Sequence, residues 1–257
     1  MIRELRIDEL EIKVFDNRVK MGEAAASAVG EQIVKLLGQQ EYVNIVFASA
    51  PSQNEFLEAL IKQPGIDWTR VNAFHVDEYI GLQENAPEKF GSFLRGKIFK
   101  YLPFHTLNYI NGNAPDSFAE CGRYAELLHD YPSDIVCLGI GENGHLAFND
   151  PPADFETEDP FIVVDLDEKC REQQLGEGWF KSIDEVPKKA ISMSIKQIFK
   201  SKNIICSVPG ERKAIAVKNC LEEPVSNLYP ASVLQQHSNC TIYLDDLSAS
   251  LLSKNIA

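Results

Sequence analysis

Asp134-Ile-Val-Cys-Leu-Gly-Ile140 runs without a break into Gly141-Glu-Asn-Gly-His-Leu-Ala-Phe-Asn-Asp150. The first piece is a short, continuous apolar run, the pattern of a strand buried on both faces of a sheet. The second is a polar, glycine-rich turn carrying an imidazole and a carboxylate. Strands buried on both faces belong to parallel sheets, and such sheets bind ligands in the loops beyond the carboxyl ends of their strands.

The rest of the chain repeats the pattern. Strands are expected at 10–15 (LEIKVF), 43–48 (VNIVFA), 71–77 (VNAFHVD), 190–195, 203–208 (NIICSV) and 240–245 (CTIYLD). A helix is expected at 17–38, capped by Asp16 or Asn17, with Val29, Ile33, Leu36 and Leu37 on one face. Others are expected from Pro51 to about Lys62, over 88–100, over 115–130 and from about Glu211 to Leu221. In 115–130 the apolar stripe reads Phe118, Cys121, Ala125, Leu128. This alternation predicts one α/β domain over 1–257, a Rossmann-like three-layer α/β/α fold with a mostly parallel sheet. The segment 150–189 breaks the rhythm: it is acidic, holds Phe155, Phe161, Trp179 and Phe180, and reads as a surface excursion or a lid.

A net charge of −13 over 257 residues argues against a nucleic-acid partner, which needs a basic face. It leaves an anionic small molecule open, since a phosphate needs only local cations and N–H groups. The six cysteines form no C-x-x-C pair, so zinc-site and redox-motif readings are weak, and Cys137 and Cys206 read as buried reduced thiols. The charged opening Met1-Ile-Arg-Glu-Leu-Arg-Ile-Asp-Glu is not a secretory signal, and no apolar stretch approaches the ~20 residues of a membrane span. A cytoplasmic protein with no membrane partner is the expectation.

Four polar clusters fall at strand ends: Ser49-Ala50-Pro51-Ser52-Gln53, Asp77-Glu78-Tyr79, the Gly139–Asp150 loop, and Pro209 to Lys213. Gly139, Gly141 and Gly144 allow tight turns and close approach to a ligand. His145 can move a proton near neutral pH, and Asn143 and Asp150 can orient its ring; a loop histidine satisfied by backbone is the competing reading. Asp77, after an apolar strand, can act as a general base or simply cap a turn. His75 reads as a hydrogen-bonded core histidine. The Ser49–Gln53 turn can cradle a phosphate or provide an N-cap through Ser49 or Ser52. Lys213 lies in a helix's first turn, where a cation is unfavourable, so an anionic ligand or a salt bridge to Glu211 or another glutamate would account for it.

These stretches together resemble the glucosamine-6-phosphate deaminase (isomerase) family, which shares its fold with 6-phosphogluconolactonase. The resemblance rests on Phe74-His-Val-Asp77-Glu-Tyr79-Ile-Gly81-Leu, on Gly139 to Asp150, on Gly210-Glu-Arg-Lys213-Ala, on Asn111-Gly-Asn-Ala-Pro115 and on Tyr229-Pro-Ala-Ser-Val-Leu234. It implies that Asp77 moves a proton between C1 and C2 of an open-chain aminosugar phosphate. It implies that His145 assists ring opening, with Asn143 and Asp150 orienting it, and that the reaction releases ammonia without metal or organic cofactor. It places Ser49, Ala50, Ser52, Gln53, Gly144, Lys213 and, from the 150–189 segment, Arg171 at the substrate.

Three departures stand out. The family's phosphate turn reads Thr-Gly-Gly-Thr-Pro or similar, and here it is Ser49-Ala-Pro-Ser-Gln53. Asp150 replaces a glutamate. The 151–165 segment lacks the Arg and Lys that form an allosteric site in some hexameric members, so that regulation is not expected, and the chain reads as a monomer or homo-oligomer. A lactonase of the same fold and a non-catalytic sugar-phosphate sensor are the alternatives. The Asp77–Tyr79 context and the Phe148-Asn-Asp-Pro151 ending favour the deaminase, and Asp77 together with His145 disfavours the sensor.

Overall fold

The computed structural model describes residues 1–253; the last four positions of the expected 1–257 domain lie outside the described residues. In chain order the strands are β1 (Arg3–Ile7), β2 (Leu10–Phe15), β3 (Val43–Phe47), β4 (Val71–His75), β5 (Asp77–Tyr79), β6 (Thr106–Leu107), β7 (Ile135–Leu138), β8 (Phe161–Asp165), β9 (Lys189–Met193), β10 (Asn203–Val208) and β11 (Cys240–Asp245). The helices are α1 (Arg18–Leu37), α2 (Asn54–Leu60), α3 (Phe90–Leu94), α4 (Ser117–Asp130), α5 (Glu168–Gly176), α6 (Ile195–Phe199) and α7 (Ala214–Glu222).

Eight strands form the main sheet in the order β1-β2-β11-β10-β7-β3-β4-β6. Every pair is parallel except the β1–β2 hairpin, whose first strand the sequence reading missed because its charged residues mask the alternation. Strand residues alternate between two cores, as a period of two requires. Val43, Ile45 and Phe47 of β3 join α1 and α2 on one face, while Val46 joins Cys121, Tyr124 and Leu128 of α4 on the other. The expected three-layer α/β/α architecture is therefore present.

α1 begins where expected. Asn17 is its cap, and its side chain accepts hydrogen bonds from the Val19 and Lys20 amides (3.1 and 3.0 Å). Asn17→Ala should lower stability by about 1 kcal/mol in a denaturant titration, with no change in slope. α1 crosses α2 closely: a Cβ on Gly22 would come within 2.7 Å of the Glu55 backbone.

The structure corrects two expectations and gives detail to a third segment. Phe118 does not line the buried stripe of α4; it is 74% exposed, and Tyr124 fills the core position instead. The strand read as 71–77 ends at His75, and Asp77 opens β5, which belongs to a second sheet ordered β5-β9-β8. The 150–189 segment, read as an excursion or a lid, supplies β8 to this antiparallel sheet and α5 beside the crevice, with Phe180 in a third cluster with Tyr79, Phe90 and Phe148.

Candidate active site

β3 and β7 are neighbours in the sheet, but the chain leaves β3 towards β4 and returns to β7 on the opposite side. That is a topological switch point, where the loops diverge and leave a crevice. Three of the predicted loops converge there with Asp77. The crevice is lined by Ser49, Ala50, Ser52 and Gln53 after β3, by Gly139, Gly141 and His145 after β7, by Lys213 after β10 and by Asp77 of β5. Phe90, Phe148, Gln173 and Gln174 of α5 and Glu177 directly after it also line it.

Asp77 is 6% exposed, and neither carboxylate oxygen has a hydrogen-bond partner among the described residues; Oδ1 is fully buried. It caps no turn. Burial, and secondarily the Glu78 charge, hold its carboxyl well above the usual carboxylate range. Its backbone carbonyl is 2.8 Å from His75 Nδ1, whose other ring nitrogen accepts from the Ile110 amide. His75 is fully buried and its pKa is pushed down to about 4 by burial, so it is a neutral core histidine that fixes the backbone at Asp77.

Glu78 points away from this crevice. It accepts from the amides of Tyr79, Phe90 and Gly91 (2.9–3.0 Å), tying β5 to the start of α3 and thereby fixing Phe90 in the wall. Burial raises its pKa to about 6 in spite of those three donors.

His145 is not a backbone-satisfied loop histidine. Its Nδ1 lies 3.1 Å from Asp150 Oδ1, while its ring packs on the open face of Gly141 and lines the crevice. Asn143 clamps the pair: its amide donates to Asp150 Oδ1 (2.9 Å) and its carbonyl oxygen accepts from the His145 amide (3.1 Å). Burial alone would raise the Asp150 pKa, but the hydrogen bond and charge of His145, then Asn143, outweigh it and lower it. Asn143 and Asp150 thus stand behind His145 and do not line the crevice. Gly144 also lies outside the lining; its φ of +90° turns the loop beside Cys220.

The Cys170 thiol completes a group with His145 and Asp150 whose donor atoms lie within 4.8 Å of one another. The set fits a metal poorly. Burial holds the Cys170 thiol protonated by raising its pKa far above the usual range, and Asp150 is already engaged by His145 and Asn143.

At the far end, Lys213 is 8% exposed and has no salt bridge or hydrogen-bond partner at its ammonium among the described residues, neither with Glu211 nor with any other glutamate. Burial lowers its pKa. Neither Ser49 nor Ser52 caps the turn after β3. Ser49 Oγ is buried without a partner among the described residues, and Gln53 Nε2 donates to the Ser207 carbonyl (3.1 Å), fastening the turn to β10.

Arg171 is not brought to the crevice. Its guanidinium donates to the Ile183 and Val186 carbonyls and closes the segment after α5 on itself. The reading from sequence missed Gln173, Gln174 and Glu177. α5 has almost no apolar periodicity, and nothing local in Glu-Gln-Gln-Leu-Gly-Glu marks a pocket wall.

A buried unpaired carboxylate, a carboxylate-oriented imidazole and a buried unpaired ammonium in one crevice define a site that can transfer protons on a small anionic molecule. The comparisons agree with that class. The chain belongs to the family described as glucosamine-6-phosphate isomerases/6-phosphogluconolactonase, which matches residues 16–243. It is 37% identical over 232 residues to the glucosamine-6-phosphate deaminase of Lactobacillus delbrueckii subsp. bulgaricus, covering 88% of this chain and 96% of that protein. It is 35% identical over 245 residues to the enzyme of that name from Oenococcus oeni, covering 95% and 100%. Among solved structures it resembles a monomeric glucosamine-6-phosphate deaminase with a TM-score of 0.85 at 31% identity, covering 93% of this chain and 99% of that one. A 6-phosphogluconolactonase from Trypanosoma brucei shares the fold, with a TM-score of 0.76 at 17% identity over 94% and 98% of the two chains. Among the described residues, no helix is long and apolar enough to cross a membrane.

Proposed function

We propose that this protein is a deaminase and ketol-isomerase of hexosamine phosphates, converting glucosamine-6-phosphate or a close epimer to a ketose phosphate and ammonia. The observation that carries the reading is the unpartnered Asp77 carboxylate, set in the same crevice as His145 and Lys213.

The chemistry follows from the residues. His145 passes a proton between the ring oxygen and the anomeric hydroxyl and so opens the sugar; Asp150 and Asn143 hold its ring for that task. Asp77, ionised, removes the proton from C2 of the open-chain aldehyde and delivers it to C1. The C2–H electron pair passes through an enolamine and leaves an imine at C2. Water adds to that imine and the amine departs as ammonia, so the sum is an isomerisation plus a hydrolysis. A buried base with no competing hydrogen bonds suits the first step, since none of its basicity is spent on the protein. Lys213 and Ser49 hold the phosphate, whose binding energy orients carbons several bonds away.

The curated relatives are deaminases at 35–37% identity, whereas the lactonase cited shares 17%, and this supports the deaminase over the hydrolase. Purified protein incubated with glucosamine-6-phosphate and, separately, galactosamine-6-phosphate should release ammonia from at least one, with one equivalent of ketose phosphate. Absence of ammonia from both, with circular dichroism of a folded protein, would sink the reading.

A further inference from the structure

We propose that Glu177 is a specificity-determining residue: its carboxylate shares the far end of the crevice with Lys213 and opposes the second negative charge of a phosphate ester, so the site takes the monoanion in preference to the dianion. The identity of the sugar rests on the function proposed above; the charge argument does not.

Glu177 directly follows the last residue of α5. Its Oε1 accepts from Gln173 Nε2 (3.0 Å), and its Oε2 is buried with no hydrogen-bond partner among the described residues. It lines the same crevice as Lys213, yet no ion pair within 4.0 Å joins the two. A carboxylate at a helix C-terminus is disfavoured by the helix dipole, so the stability of α5 does not account for it. A ligand held between the two groups would have to present two complementary oxygens. One P–O⁻ oxygen accepts from the Lys213 ammonium, and a P–OH donates to Glu177 Oε2.

The surroundings supply little more positive charge. Among the described residues, Lys213 is the only Lys or Arg in the lining. Arg212 is spent on Glu142 (2.8 Å), and Arg171 on carbonyls. In the turn after β3, Pro51 has no N–H and the Gln53 amide donates to the Ala50 carbonyl. A dianion would meet one cation and one anion. Phosphate esters have a second pKa of about 6, so both ionisation states are available near neutral pH. The other titratable groups around the ligand are Asp77 from β5 and His145 from the loop after β7, with Glu142, Arg212 and Cys170 acting on Lys213 from outside the lining; comparing a variant with the unchanged protein at each pH cancels their contribution.

The test uses Glu177→Gln, which keeps the shape and an acceptor for Gln173, with Glu177→Ala as a second variant. Binding of inorganic phosphate is measured by calorimetry at pH 6 and pH 8, and KM for glucosamine-6-phosphate at the same two values. At pH 8 both variants should bind phosphate about tenfold more tightly, and the glutamine variant should show a KM lower by a similar factor. Binding to the unchanged protein should strengthen from pH 8 to pH 6 more than binding to either variant. Phosphate binding at pH 8 that is unchanged or weaker in both variants would overturn the proposal. If no hexosamine phosphate is turned over, the proposed function fails, and the phosphate titration still decides the role of Glu177.

Discussion

Asp77→Asn is expected to lower kcat with glucosamine-6-phosphate by about 10³-fold, within the range spanned by general-base catalysis. The asparagine has nearly the same shape but cannot accept the C2 proton. Sugar-phosphate affinity should change by less than about threefold, because the phosphate end of the crevice is held by other residues. Folding should be unharmed for a specific reason. Burial raises the Asp77 pKa, so the folded protein binds this proton more tightly than the unfolded chain does. The stability so gained is fully present below the unfolded pKa and is lost as pH rises through the folded value. At pH 8 the variant avoids burying an unpaired charge and should melt no earlier than the unchanged protein. Catalysis has the opposite sign, since it needs the ionised form. The acid limb of kcat/KM should therefore lie above the ordinary aspartate value of 3.8, with activity falling as pH drops through it. Equal loss of binding and turnover in Asp77→Asn would reassign the residue to ligand contact.

Gly141→Ala is expected to reduce kcat/KM by on the order of 10²-fold, without a Lys213 or Asp77 contact being altered. A Cβ at this position would overlap Cε1, Nε2 and Cδ2 of the His145 ring, so the imidazole must leave its seat. Its 3.1 Å contact with Asp150 would go with it. The loss should fall on the ring-opening step. It should be smaller when the reaction is run in the reverse direction from the ketose phosphate and ammonia and followed only to the open-chain stage. Gly122→Ala on α4 is the control: a Cβ there meets nothing within 4 Å, and the protein should keep its activity and gain a few tenths of a kcal/mol or more in stability. An unchanged rate in Gly141→Ala would show that the position of the imidazole does not matter.

The sheet was legible because its strands are buried on both faces. Val43–Phe47, Ile135–Leu138, Asn203–Val208 and Cys240–Asp245 are close to uninterrupted apolar runs, and such runs resist misreading. β5 was not, since three residues carry no periodicity and the partners that make Asp77–Tyr79 a strand lie in β9, more than a hundred positions away. Phe118 was misplaced because helical spacing alone cannot separate a stripe that starts at 118 from one that starts at 121. The loop from Gly139 to Asp150 could be read in detail, as its key contacts, Asn143 to Asp150 and Asp150 to His145, are local in sequence. The far end of the crevice could not. It is assembled from the turn after β3, the short 3-10 turn Glu211–Lys213 after β10, and α5 with the residue that follows it, and the charge balance between Glu177 and Lys213 exists only in three dimensions. The same limit explains Arg171, which has the right charge in the right segment but a guanidinium committed to backbone carbonyls.

The most direct test of the account is a crystal structure with 2-amino-2-deoxyglucitol-6-phosphate, an open-chain analogue that cannot react. The expected result places an Asp77 carboxylate oxygen within about 3.5 Å of C1 and C2, and the phosphate on the Lys213 ammonium at the other end. A ligand bound in the reverse sense, with its phosphate towards Asp77, or one bound outside the crevice between β3 and β7, would contradict it.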